Sequence, residues 1–198
     1  MSSERLRLFV AADLPPRLLA DLDESLVSLR SRPEVASARW AVPANQHVTL
    51  KFLGWVDAGT LDRIEKALTA VASSHKPAVI TVTGLGAFPS ERRARVLWAG
   101  LDDAAGLLTA LASDLDSALA PLGFEPESRA FTPHLTLARF KPPASIAGVL
   151  SEVPKVAEPS FEVDHLHLYR SHLHPKGARY EILRSLKLGG CGARATSR

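Results

Sequence analysis

The chain has 198 residues, 46% of them hydrophobic, which is enough for a well-filled core in one domain or in two closely packed lobes. Its net charge is +3, and two of those charges come from Arg194 and Arg198, so bulk charge excludes a protein that coats nucleic acid while leaving room for a local basic cleft. The single cysteine, Cys191, excludes an internal disulfide. No stretch approaches the roughly 20 apolar residues of a membrane span, and Met1 to Leu8 does not resemble a signal peptide, so a soluble cytoplasmic protein is expected.

The segment Arg7-Leu8-Phe9-Val10-Ala11-Ala12-Asp13-Leu14 reads as a strand, and leucines at 18, 19, 22, 26 and 29 predict an amphipathic helix over residues 16–29. After the turn-rich Val42-Pro43-Ala44-Asn45-Gln46 comes a strand opening with His47-Val48-Thr49-Leu50 and running on through Lys51 and Phe52. A helix over 58–72 and a β-rich run over 78–83, ending near Phe88-Pro89-Ser90, complete the first half.

The same order then recurs. Arg95-Val96-Leu97-Trp98-Ala99-Gly100-Leu101-Asp102 is a strand, and leucines at 107, 108, 111, 115 and 119 predict a helix over 104–119. Phe131-Thr132-Pro133 leads into His134-Leu135-Thr136-Leu137, followed by a weaker helix around 145–152, a strand over 161–168 and a last strand over 180–188. Arg7 and Arg95 are 88 residues apart and His47 and His134 are 87 apart, so one duplication accounts for both pairs. The expected fold is α+β and bilobal: two pseudo-symmetric lobes with inner antiparallel sheets around a central cleft and helices outside. Residues 1–188 form a single domain built from an internal duplication of about 5–90 and 93–188, and residues 189–198, poor in apolar side chains, are expected to be a disordered tail.

In a strand, residues i and i+2 share a face roughly 7 Å apart, so each His-x-Thr presents an imidazole beside a hydroxyl with the intervening aliphatics turned to the core. Two such units supply two histidines able to exchange protons near neutral pH, plus two neutral donors for a developing oxyanion. Strand parity places Lys51 with His47 and Thr49, within reach of a phosphate. Arg139 falls with Leu135 and Leu137 on the other face, and reaches the cleft only if the strand is bulged. Phe88 followed by Arg92, Arg93 and Arg95, and Tyr169 followed by Lys176 and Arg179, give each half an aromatic and a cationic loop suited to a base and a phosphate. His165, His167, His172 and His174 form two His-x-His pairs, but with no cysteine and only Asp164 nearby they read as a polar strand face and a turn rather than a metal site. His75 reads as a charge at a helix C-terminus.

The two H-x-T-L strands, Phe52-Leu53-Gly54, Phe88-Pro89, Arg95-Val96-Leu97-Trp98, Pro133-His134-Leu135-Thr136-Leu137-Ala138-Arg139 and Tyr169-Arg170-Ser171 together resemble the 2H phosphoesterases, and within them the LigT-like RNA 2′,3′-cyclic phosphodiesterases, also called the 2′-5′ RNA ligase family. The resemblance spans residues 5–188. It implies metal-independent hydrolysis of an RNA terminal 2′,3′-cyclic phosphate to a 2′-phosphate, with reversal of related chemistry joining 2′-5′ ends, no cofactor and a monomeric state. It also implies His47 as proton donor, His134 as proton acceptor, and Thr49 and Thr136 as donors to the phosphate oxygens; the reading of the residues themselves adds Lys51, Phe88, Arg95, Arg139 and Tyr169 as candidate substrate contacts. Two other readings stay open: the same chemistry on a small cyclic nucleotide, and a module that binds an RNA end without turning it over.

Overall fold

Two antiparallel sheets position everything that follows. The computed structural model describes residues 4–152, 159–174 and 177–189. The first sheet contains β1 (Arg5–Ala12), β3 (Val48–Asp57), β8 (His165–His172) and β9 (Arg179–Lys187) in the order β3-β1-β8-β9. The second contains β2 (Ala38–Trp40), β4 (Ala78–Phe88), β5 (Ala94–Asp102), β6 (His134–Ala144) and β7 (Ser160–Val163) in the order β2-β6-β5-β4-β7. The lobes are therefore not the sequence halves. Each sheet joins a His-x-Thr strand to the opening strand of its own half, β3 to β1 and β6 to β5, and then takes a strand from the other half, β8 or β4.

The helices are α1 (Pro16–Ser25), α2 (Val27–Arg30), α3 (Leu61–Ser74) and α4 (Leu107–Leu119). Helix α3 buries Ile64, Leu68, Val71 and Ala72, and α4 buries Leu107, Leu108, Leu111, Ala112, Leu115 and Leu119, as their threefold and fourfold leucine spacing requires. The N-terminus of α4 is held by Asp103, whose carboxylate accepts from the backbone amides of Leu108 and Thr109 at 3.1 and 3.0 Å. One apolar cluster draws on both sheets and on all four helices. Truncating one of its fully buried members, such as Leu68 or Leu135, to alanine costs about 2–5 kcal/mol. Among the described residues no helix is long and apolar enough to cross a membrane.

Several sequence expectations are corrected. The helix expected over 16–29 breaks at Leu26, whose φ of −90° and ψ of 0° separate α1 from α2 while its side chain stays buried. In place of the weak helix around 145–152 there is a single 3-10 turn, Leu150–Glu152, because Gly148 at φ +80° takes a left-handed conformation through which a right-handed helix cannot run. The run over 161–168 is two strands that part at Asp164, β7 pairing with β4 in one sheet and β8 with β1 in the other. A short strand, β2, occupies a stretch to which the sequence pattern assigns no element. Of the tail, Gly189 is hydrogen-bonded to the Ala72 carbonyl at 3.1 Å, and the rest lies outside the described residues, as does Lys176.

Candidate active site

Both His-x-Thr strands carry the same irregularity at the same place. Ala11 pairs with Thr49 and Val10 with Lys51, which leaves Leu50 as the extra residue. Trp98 pairs with Thr136 and Leu97 with Ala138, which leaves Leu137. Each is a β-bulge, and one added residue reverses which way every later side chain points. Leu50 and Lys51 are consequently both buried, as are Leu137 and Ala138, while Phe52 and Arg139 turn out to join the face that carries the histidine and threonine.

This reverses two expectations from strict alternation. Lys51 does not face the cleft: it is 2% exposed, and its ammonium donates to the Asp116 carboxylate of α4 and to the Glu125 carbonyl. Asp116 in turn accepts from the Glu127 amide at 3.0 Å, so Lys51 pins the loop that leads into β6. Arg139, expected on the core side, lines the cleft.

The cleft has a volume of about 1600 Å³ and is bounded by His47, Thr49 and Phe52 from one sheet and by Thr136 and Arg139 from the other. Its charged lining among the described residues consists of Arg7, Arg39, Arg139, Arg179, His47 and His174, with no carboxylate. Low-dielectric walls lined by one sign of charge concentrate an anionic ligand.

His47 stacks on Phe9 at a ring separation of 4.7 Å and meets the edge of Tyr180 at 5.1 Å. Burial pushes its pKa down to about 4, and the Arg139 charge adds to that, against the Asp13 carboxylate and a backbone hydrogen bond at Asn45. His134 is held differently. Its Nδ1 donates to the Thr132 carbonyl at 2.8 Å, which leaves Nε2 free to accept a proton. Phe88 lies edge-on to its ring at 5.1 Å, and Trp98 backs it at 6.5 Å. Trp98 fits only because residue 86 is glycine, where a Cβ would come within 2.3 Å of the indole. Burial lowers the His134 pKa too, with Arg139 adding to the effect and the Thr132 hydrogen bond opposing it. The two histidines thus share a depressing cation and a carbonyl two residues upstream, and only His47 feels a carboxylate.

Tyr169 is not available to a base. It is 8% exposed and stacks on Phe9 at 5.0 Å, and its hydroxyl donates to both Asp13 oxygens at 2.7 and 2.6 Å, which together with burial raises its pKa far above the usual phenol range. It forms the wall behind His47. Phe88 contacts His134 rather than the open cleft, and Arg95 is exposed outside the cleft lining. The histidine pairs disperse: His165 bonds Asp164, His172 bonds Glu181, His167 lies 3.7 Å from Asp13, and His174 lines the cleft. Among the described residues no three metal-binding side chains converge. His75 ends α3 and also bonds Asp114 of α4 at 2.8 Å. Phe52, Asp13 and Arg39 escaped the sequence reading, since the bulge and the strand register that place them leave no local pattern.

A family model described as the 2′-5′ RNA ligase superfamily matches residues 20–175. The chain is 33% identical over 187 residues to the RNA 2′,3′-cyclic phosphodiesterase of Methanothermobacter thermautotrophicus, covering 93% of this chain and all of that one. It is 34% identical over 180 residues to the protein of the same name from Archaeoglobus fulgidus, covering 90% of this chain and 98% of that one. Among solved structures it resembles a protein of Thermus thermophilus, with a TM-score of 0.78, 30% identity and coverage of 93% and 99%. Escherichia coli LigT complexed with 3′-AMP superposes with a TM-score of 0.74 at 31% identity, covering 93% and 99% of the two chains.

Proposed function

The chain belongs to the 2′-5′ RNA ligase superfamily, and from that premise we propose that it is an RNA 2′,3′-cyclic phosphodiesterase whose two His-x-Thr units open the cyclic phosphate to a 2′-phosphate. The observation that carries this reading is that two bulged His-x-Thr strands bring His47 and Thr49 together with Thr136 and Arg139 on one cleft whose charged lining is wholly cationic or titratable, with His134 just outside that lining against Phe88 and Trp98. E. coli LigT, similar over 93% of this chain, is known in complex with 3′-AMP, which supports a nucleotide as the class of ligand.

His134 acts as the base. With Nδ1 engaged by Thr132, Nε2 takes a proton from water as the water oxygen bonds to phosphorus. The bond from phosphorus to the 3′ oxygen breaks, and His47 gives its proton to that oxygen. His134 ends protonated and His47 neutral, and exchange with solvent resets the pair. Asp13 favours His47 for the donor role, because its negative charge supports the imidazolium and no carboxylate plays that part for His134. Thr49, Thr136 and Arg139 meet the non-bridging oxygens as charge builds on them. In the empty cleft both histidines are mostly neutral at pH 7, so the substrate's own negative charge helps to protonate the donor.

The test is to incubate the protein with a short RNA ending in a 2′,3′-cyclic phosphate and to identify the product. A 2′-phosphate is expected, at a rate that EDTA leaves unchanged, since side chains are assigned both the proton transfers and the charge stabilisation. A 3′-phosphate would reverse the leaving group, and loss of turnover on chelation, restored by added metal, would remove the two-histidine mechanism. Binding without turnover would leave an RNA-end binding module.

A further inference from the structure

The cleft holds one arrangement that this chemistry does not use. In the β2–β6 register Arg39 is paired directly with Arg139, and both are exposed residues that line the cleft. Like charges directly opposite one another in a sheet are unfavourable, and among the described residues neither arginine has a carboxylate partner. Arg30, Arg32, Arg170 and Arg184, elsewhere on the molecule, each hold one. The strand that carries Arg39 is held in place. Ala41 donates to the Leu137 carbonyl at 2.8 Å, and Trp40, which alternates with Arg39 along β2, carries the Arg30 guanidinium 4.9 Å from its ring centre. Two uncompensated cations on a fixed pair of strands and open to solvent suit an anion that arrives with the ligand.

Arg139 acts electrostatically on both histidines and so serves the phosphate at the centre of the cleft. Arg39 lies one strand further out. A nucleotide that ends in a 2′,3′-cyclic phosphate has only one other phosphate attached to it, the one at its own 5′ oxygen. We propose that Arg39, paired across β2–β6 with Arg139, forms a second phosphate subsite for that 5′ phosphodiester, so that an RNA strand is preferred over a free nucleoside cyclic phosphate. This rests on the cyclic-phosphate reading and adds to it the residue that contacts the strand beyond the cyclic end.

The experiment compares the parent protein with R39Q on adenosine 2′,3′-cyclic phosphate, on the same nucleotide carrying a 5′-phosphate, and on the dinucleotide ApA ending in a 2′,3′-cyclic phosphate. The parent is expected to show a KM about tenfold lower for the two substrates that bear the extra phosphate. R39Q should abolish most of that advantage while changing the KM for the plain nucleotide by less than about threefold. Calorimetric binding of adenosine 2′-phosphate and of ApA 2′-phosphate gives a readout independent of turnover. For the dinucleotide, the slope of log affinity against log salt should become shallower by about 0.7 in R39Q, the value of one single-strand phosphate contact. Equal losses on all ligands, or a parent that does not discriminate between them, would overturn the subsite. If nothing is hydrolysed, the cyclic-phosphate reading fails, and the binding comparison still decides the subsite.

Discussion

Strands β3 and β6 carry one motif in two settings. Both present histidine, then threonine, then a bulge, then a residue turned back into the cleft. On β3 that last residue is Phe52, 54% exposed and cross-strand from Phe9, and on β6 it is Arg139, cross-strand from Arg39. His47 sits in an aromatic stack within the field of Asp13, whereas His134 is fixed by the Thr132 carbonyl and backed by Trp98. The shared part puts one histidine and one threonine on each sheet, of which His47, Thr49 and Thr136 line the cleft. The difference lies in the residue after the bulge, an apolar ring at Phe52 suited to a base and a cation at Arg139, while Arg7 and Arg179 add positive charge to the cleft from the Phe52 sheet as well.

Removing either histidine breaks the shared part. His47→Ala and His134→Ala should each lower turnover by roughly two to four orders of magnitude at neutral pH, and the double mutant should lose far less than the product of the two, since the groups act as a unit. A single mutant with near-parental turnover would rule out the pair. Thr49→Val and Thr136→Val keep shape and β-branching and should cost about ten- to a thousandfold in rate with melting temperatures unchanged. Full activity in both would mean that the hydroxyls do not meet the phosphate.

Arg139 sharpens the comparison because its charge reaches both walls. Both histidines titrate below their ordinary range in the empty cleft, so the pH optimum of kcat/KM should fall on the acid side of 6.5, and that of kcat should lie higher because bound phosphate raises both groups. Arg139→Gln should move the kcat/KM profile toward alkaline pH while slowing it about ten- to a hundredfold. An unmoved profile would place the guanidinium away from the histidines.

The smallest expected effect is on stability. The unfolded chain takes up a proton on His47 near pH 6.5, while the folded protein resists until about pH 4, so the unfolded state binds more protons between those values. Stability is therefore complete above pH 6.5 and is lost as pH falls toward 4, by on the order of 3 kcal/mol, with His134 acting in the same direction. In His47→Phe the fall in melting temperature over that interval should be clearly reduced. An equal fall would assign the acid sensitivity elsewhere.

The sequence by itself determined the two His-x-Thr strands, the helices α3 and α4, and the repeat at 87–88 residues, because each rests on a periodicity or an identity that neighbouring residues carry. It could not determine which way Lys51 and Arg139 point. A bulge is defined only by the partner strand, and one extra residue inverts every later side chain, so alternation read along the chain put the buried lysine in the cleft and the cleft arginine in the core. It likewise could not show that the sheets exchange strands between halves, that Tyr169 stands behind His47 with its hydroxyl on Asp13, or that Arg39 comes to lie beside Arg139. The last two are contacts between residues 156 and 100 positions apart, and all three are made by sheet register and core packing, which no local pattern records.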